Sequence, residues 1–211
     1  MITQNINSSQ APRKKGRPLS FDRDAALYQA MLLFWRHGYE STSLNDLTAA
    51  LGVKPSSIYT VFGDKKKLFL EAVALYTSGP VTSASIIAHA QTARDAAQNL
   101  LQAAVEGFTG KDTPKGCLLA TSAISCSAGA SDVQNDLANI RMGIEAQLKA
   151  KVMADIEAGL IPNDTDAEAL AAHILAMIQG LSTLARDGAP REKLFRVAEL
   201  AVCVWPKPIQ K

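Results

Sequence analysis

Apolar positions along the first third of the chain repeat at helical spacing. Leu27, Met31 and Phe34 recur at intervals of four and three from Asp22 onward, the stripe of an amphipathic helix, and Gly38 stops it. Thr42 and Ser43 are candidate N-caps for a short second helix carrying Leu44, Leu47 and Leu51, which ends at Gly52. A third short helix is predicted from about Lys54, with Pro55 in its first turn and Ile58 and Phe62 one turn apart. Gly63 and Asp64 break it and cap a fourth helix with Leu68, Ala72 and Leu75. Residues 21–76 therefore read as a compact unit of four helices, the middle pair joined by a tight turn at Gly52–Val53. That is a helix-turn-helix arrangement.

Residues 79–206 also read as helices. Ile87, Ala90, Ala97, Leu101 and Phe108 predict one long helix, and another runs from about Asp132 to Gly159, stopped there and at Pro162. Leu170, Ile174, Met177, Leu181 and Leu184 repeat at spacings of 4, 3, 4 and 3, a seam suited to packing helix on helix. A last helix spans about Arg191 to Trp205, with Leu194, Ala198, Ala201 and Trp205 on one face. Between these lies Gly116 to Ser131, a stretch without charge and rich in small and hydroxyl side chains. The expected fold is all-α, with residues 1–20 a flexible basic arm and 207–211 a tail.

Composition narrows the class. Of 211 residues, 47% are hydrophobic and 20% charged, which excludes disorder throughout. No window reaches the roughly eighteen apolar residues of a membrane span, and the polar start lacks a hydrophobic signal core, so a cytoplasmic protein is expected without a membrane partner. The three cysteines have no C-x-x-C spacing and are expected to be reduced thiols. His37, His89 and His173 show no metal-binding spacing, so no metal or cofactor is expected. Charge is uneven: residues 1–75 hold ten Lys/Arg against six Asp/Glu (net +4), while residues 76–211 hold twelve against fourteen (net −2). A basic front on a mildly acidic body points to an anionic partner, with a chance partition of surface charge as the alternative.

The stretch "KPSSIYTVFGDKKKLF", Lys54 to Phe69, sharpens that reading. A major groove accepts one α-helix, and a helix presenting small polar groups can reach phosphates and base edges together. Lys54, Ser56, Ser57, Tyr59 and Thr60 supply such groups, while Ile58 and Phe62 anchor the back. Lys65, Lys66 and Lys67 fall in the first turn of the fourth helix, where the macrodipole disfavours cations by about 0.3–1 kcal/mol each. A phosphate at that N-terminus would compensate them. Otherwise they are three solvated lysines on an exposed turn.

The segments "LFWRHGYESTSLNDLTAALGV" and "SSIYTVFGDKKKLF" resemble the DNA-binding domain of the TetR/AcrR family of bacterial transcriptional regulators. The Gly-Tyr after the first helix, the Thr-Ser cap, the Gly-Val turn, Tyr and Phe three residues apart, and Lys-x-x-Leu carry the likeness over residues 22–70. The resemblance implies a homodimer on double-stranded DNA with a near-palindromic operator. It implies that Thr42, Tyr59 and Lys65 hold phosphates and that Lys54, Ser56 and Thr60 lie nearest the bases. Pro55 and Ser56 depart from the family's usual pattern, so the operator of a relative is not carried over. Thr42 could instead cap its helix. The arm Arg13, Lys14, Lys15 and Arg17 could follow the minor groove or remain a solvated tail.

For the rest of the chain the resemblance implies helical dimerisation and a cavity for a small-molecule effector. Leu170, Ile174, Met177, Leu181, Leu184 and Trp205 are candidate interface residues, unless they bury within their own subunit. Phe108, Cys117, Met142, His173 and Met177 are candidate ligand contacts beside the uncharged stretch. Cys117, at an expected helix start that would lower its pKa, resembles the cysteines with which a subgroup of the family senses electrophiles or oxidants. Its alternative is a buried small hydrophobe. The expected function is a non-enzymatic, homodimeric repressor released by a small molecule or thiol modification. A helical thiol-redox enzyme and a sequence-indifferent DNA binder are the alternatives.

Overall fold

A computed structural model describes residues 22–124 and 126–206, and the arm and tail expected at 1–20 and 207–211 lie outside them. Ten α-helices and no strand occur among the described residues. The first four are α1 (Arg23–His37), α2 (Leu44–Leu51), α3 (Pro55–Phe62) and α4 (Lys65–Thr77). Asp22 caps α1, Ser43 caps α2 in a reciprocal capping box with Asp46, and Asp64 caps α4. Gly52 takes the left-handed conformation (φ 64°) that lets α2 stop and the chain turn directly into α3. α1 packs along α4, with Phe34 edge-on to Phe69 at 5.1 Å between ring centres, and Leu47, Ile58, Phe62 and Leu68 close the same core.

The remaining helices are α5 (Ser83–His89), α6 (Ala93–Phe108), α7 (Leu118–Thr121), α8 (Ser131–Glu157), α9 (Ala167–Arg186) and α10 (Arg191–Ala201), with a 3-10 turn at Ala128–Ala130. The single long helix expected across Ile87 to Phe108 is two: α5 ends at His89, and Thr92 starts α6 in a capping box with Asp95. The apolar period continues through the break because both helices face one core, so periodicity hides the corner and the cap reveals it. α9 is long and apolar enough by length and composition to cross a membrane, yet it packs against α6, α7, α8 and α10.

The α9 seam is only in part free to meet a second subunit. Ile174 and Leu181 are fully buried, as is Trp205 after α10, and all three sit in the subunit's own core. Leu170, Met177 and Leu184 are partly buried against that core. The seam packs helix on helix inside one subunit. The outward face of α9 instead carries Ala169, Ala176, Gly180 and Thr183, and beside it Leu200 and Val204 at the end of α10 are 68% and 62% exposed.

Among the ties that join the first four helices to the rest, two meet at the end of α1. Trp35 Nε1 donates to the Gly116 carbonyl at 3.0 Å, inside the core. Arg186 at the end of α9 donates to the carbonyls of Trp35 and Arg36 (3.2 and 3.1 Å), capping the C-terminus of α1 with a cation where the helix dipole favours one.

Candidate nucleic-acid interface

α3 has two faces of opposite character. Ile58 and Phe62 are buried and fix the helix against its neighbours, while Lys54, Ser56, Tyr59 and Thr60 are exposed on the other side and Ser57 is half-buried. Pro55 occupies the first turn, where its missing N–H costs nothing. Tyr59 is 51% exposed, and no hydrogen bond among the described residues draws its hydroxyl inward. Thr60 Oγ1 donates to the Ser56 carbonyl at 2.8 Å, which leaves its lone pairs outward. No part of the chain described here covers this face.

Thr42 requires a correction. Its side chain is 1% exposed, and its hydroxyl donates to the Gly38 carbonyl at 2.7 Å, so it neither caps α2 nor offers a side-chain donor to a phosphate. The exposed capping residue is Ser43, whose Oγ accepts from the Asp46 amide and donates to the Asp46 carboxylate. That hydrogen bond from Ser43 holds the Asp46 carboxyl below its ordinary pKa. In a Thr-Ser pair preceding a helix, either hydroxyl can be the cap; the buried one is chosen by the strength of local packing, which sequence does not display.

The three lysines also separate. Lys66 pairs with Asp132 of α8 and stands 3.7 Å from Asp136. Lys67 points back to the capping Asp64 at 3.9 Å. Lys65 alone has no ion pair among the described residues: its Nζ lies over the Tyr39 ring, 4.5 Å from the centre, and 3.5 Å from the Glu40 carbonyl. Partial burial pushes its pKa down, against the opposing pull of Glu40 and Asp46. The macrodipole mismatch at this turn is therefore met mostly from within, by Asp64, Asp132 and Asp136. Lys65 is left beside α3 as the cation able to meet a phosphate. Tyr39 and the α8 carboxylates were not anticipated; nothing in the local sequence of α8 marks them as partners of a helix 66 residues away.

Behind this interface, α4 through α9 enclose a cavity of about 340 Å³. Of the candidate ligand contacts, Phe108 and Cys117 line it; Met142, His173 and Met177 do not. Met142 is 56% exposed, His173 Nε2 meets the Ala201 carbonyl at 3.0 Å, and Met177 packs on the core. Leu175, Ile178 and Gln179 are the α9 residues that reach the cavity, because they sit on the neighbouring stripe of the helix. Among the described residues of the uncharged stretch, Cys117, Leu119 and Ala120 contribute. Burial pushes the Cys117 thiol up, outweighing the hydrogen bond it receives from the Tyr76 hydroxyl at 3.5 Å. The backbone N–H groups of Leu119 and Ala120 at the start of α7 pull the thiol down as expected of a helix start, but burial outweighs them. Burial likewise pushes the Tyr76 phenol well above its ordinary value. No group of three or more potential metal ligands occurs among the described residues.

Known proteins share this arrangement. The pattern described as "Bacterial regulatory proteins, tetR family" matches residues 26–72, and "Tetracyclin repressor-like, C-terminal domain" matches residues 93–198. The HTH-type transcriptional repressor ComR of Escherichia coli (strain K12) is 35% identical over 97% of this chain and 99% of its own. The HTH-type transcriptional repressor BdcR of the same organism is 25% identical over 90% and 91%. A cysteine-substituted form of the TetR family transcriptional regulator CifR, solved in complex with 26-bp double-strand operator DNA, superposes with a TM-score of 0.85 at 36% identity, covering 90% of this chain and all of that one. With both halves matched and near-complete coverage at such identity, the chain belongs to the tetR family of bacterial regulatory proteins.

Proposed function

We propose that the protein is a homodimeric transcriptional repressor, acting in the cytoplasm, that leaves its operator when a small molecule occupies the cavity. Residues 21–76 form the DNA-reading unit and residues 79–206 the regulatory and dimerising one. The observation that carries this reading is the uncovered polar face of α3, backed by buried Ile58 and Phe62. Lys54, Ser56, Ser57 and Thr60 meet base edges and nearby backbone, and Tyr59 and Lys65 hold phosphates on either side. The names of ComR and BdcR as repressors, and the operator bound by CifR, support the same role.

Dimerisation uses the outward face of α9 with Leu200 and Val204, rather than the leucine seam. Small side chains at Ala169, Ala176 and Gly180 let a second α9 approach closely, and two helices from each subunit make a four-helix bundle. Release follows from the position of Tyr76. It lines the cavity from the last turns of α4, whose first turn carries Lys65 beside α3. A ligand that displaces Tyr76 favours dimers whose α3 helices no longer fit successive grooves, a population shift among existing states.

Selection of bound fragments from the source genome tests the proposal. The expected result is one enriched, two-fold symmetric site with half-sites about 34–36 Å apart. Equal competition by unrelated DNA would instead make the protein a sequence-indifferent binder.

A further inference from the structure

The cavity contains one charged side chain. Arg141, on α8, lines it among walls that include Leu100, Phe108, Ile140 and Ile144. Its Nη1 donates to the Leu119 carbonyl, and no carboxylate pairs with it among the described residues. Glu145 lies one turn further along α8, but it does not line the cavity and forms no ion pair with Arg141 among the described residues. A guanidinium carries five N–H donors, and a single carbonyl leaves most of them for solvent or a ligand. Holding a cation at an apolar wall without a counter-ion is unfavourable unless something pairs with it there.

We propose that the cavity takes a small organic monocarboxylate, its carboxylate held by Arg141 and its apolar body lying against Phe108, Ile140 and Ile144. The inference rests on the reading of this cavity as the effector site. A carboxylate matches the planar fork of arginine in two parallel hydrogen bonds. A volume of about 340 Å³, at about 30 Å³ for each water-sized share, sets the body near ten non-hydrogen atoms. Gln147 and Gln179 also line the cavity, as neutral polar groups without a competing negative charge.

Matched probes on the full-length protein test this: 3-phenylpropionate, 3-phenylpropan-1-ol, 3-phenylpropylamine and octanoate, titrated calorimetrically and scored for operator release by fluorescence anisotropy. The acids are expected to bind about tenfold or more tighter than the alcohol, with the amine weakest. Arg141→Gln should remove the preference between acid and alcohol, and Arg141→Lys should keep part of it. Gly107→Met provides the control, because Gly107 lines the cavity and an added Cβ there meets no atom within 4 Å, leaving room for a longer side chain to fill the cavity, and it should block every probe. Equal binding of acid, alcohol and amine, all blocked by Gly107→Met, overturns the carboxylate assignment while the effector site stands. Arg141-dependent acid binding without operator release supports the carboxylate site and overturns the effector reading instead. No saturable binding of either acid at about 1 mM overturns the proposal outright.

Discussion

Lys66 in the first turn of α4 is ion-paired to Asp132 in the first turn of α8, and the same ammonium stands 3.7 Å from Asp136. The pair joins the helix that follows the reading helix to the longest helix of the second half. It also divides a run of three lysines into a tether, a cap contact and one cation without an ion pair among the described residues. A sequence shows three equivalent charges; the fold makes them unequal.

The inequality is measurable in the salt dependence of operator binding. Lys65→Ala is expected to weaken binding and lower the slope of log K against log salt by about one, the signature of one lost phosphate contact. Lys66→Ala is expected to leave that slope unchanged, because Asp132 and Asp136 already neutralise it. Anisotropy titrations at four or more salt concentrations distinguish the two. An equal drop in slope for both variants would mean that Lys66 leaves α8 when DNA arrives, and no drop for Lys65→Ala would remove its phosphate contact.

Thr42 and Ser43 are adjacent hydroxyls with different work. Thr42→Val keeps the shape of a buried side chain but leaves the Gly38 carbonyl without its donor, so a loss of about 1–2 kcal/mol in stability is expected. Ser43→Ala removes the cap of α2 and should cost about 1 kcal/mol. Chemical denaturation gives both numbers. Operator affinity of folded Thr42→Val should match the wild type, whereas a drop would restore the phosphate role that its burial argues against.

These two comparisons show what was legible beforehand. The first four helices, their stops at Gly38, Gly52 and Gly63, and the buried pair Ile58 and Phe62 follow from local chemistry, since caps, turns and helical periods act within a few residues. The uncovered face of α3 follows from the same pattern. What escaped depends on partners far along the chain. Lys66 meets Asp132, Trp35 meets Gly116, and Ile174 and Leu181 turn out to serve their own subunit. A seam at 4-3 spacing says that a helix packs, not against which helix. Phe108 and Cys117 line the cavity, the α9 residues that line it sit one stripe from His173 and Met177, and Arg141 carried no local signal.

Cysteine chemistry should follow burial. Cys203 is exposed, Cys126 half-buried and Cys117 buried, and burial raises the pKa of both Cys117 and Cys126. Iodoacetamide at neutral pH should therefore alkylate Cys203 first and Cys117 last, with Cys117 reacting at an ordinary thiol rate only after unfolding. Peptide mass spectrometry over time reads the order. Rapid modification of Cys117 in the native protein would revive a thiol-based switch beside Tyr76.

Gly116 concentrates the coupling between the halves. Its φ is +81°, its N–H donates to the Phe108 carbonyl at 3.1 Å, and its own carbonyl receives Trp35 Nε1. The next amide, Cys117, donates to Ser182 Oγ at 2.8 Å. A Cβ at position 116 would lie 2.8 Å from the Ser182 carbonyl oxygen and 2.7 Å from Arg186 Cγ. Arg186 can shift its chain, but the backbone oxygen of a buried helix cannot move cheaply. Gly116→Ala is thus expected to cost about 2–4 kcal/mol, from overpacking together with left-handed strain. Because Cys117 lines the cavity and Trp35 ends α1, the variant should also weaken effector-driven release more than it weakens operator binding itself. Denaturation and anisotropy on the same preparation separate the effects. A stable Gly116→Ala protein with unchanged release would show that the halves communicate through α4 and Tyr76 alone.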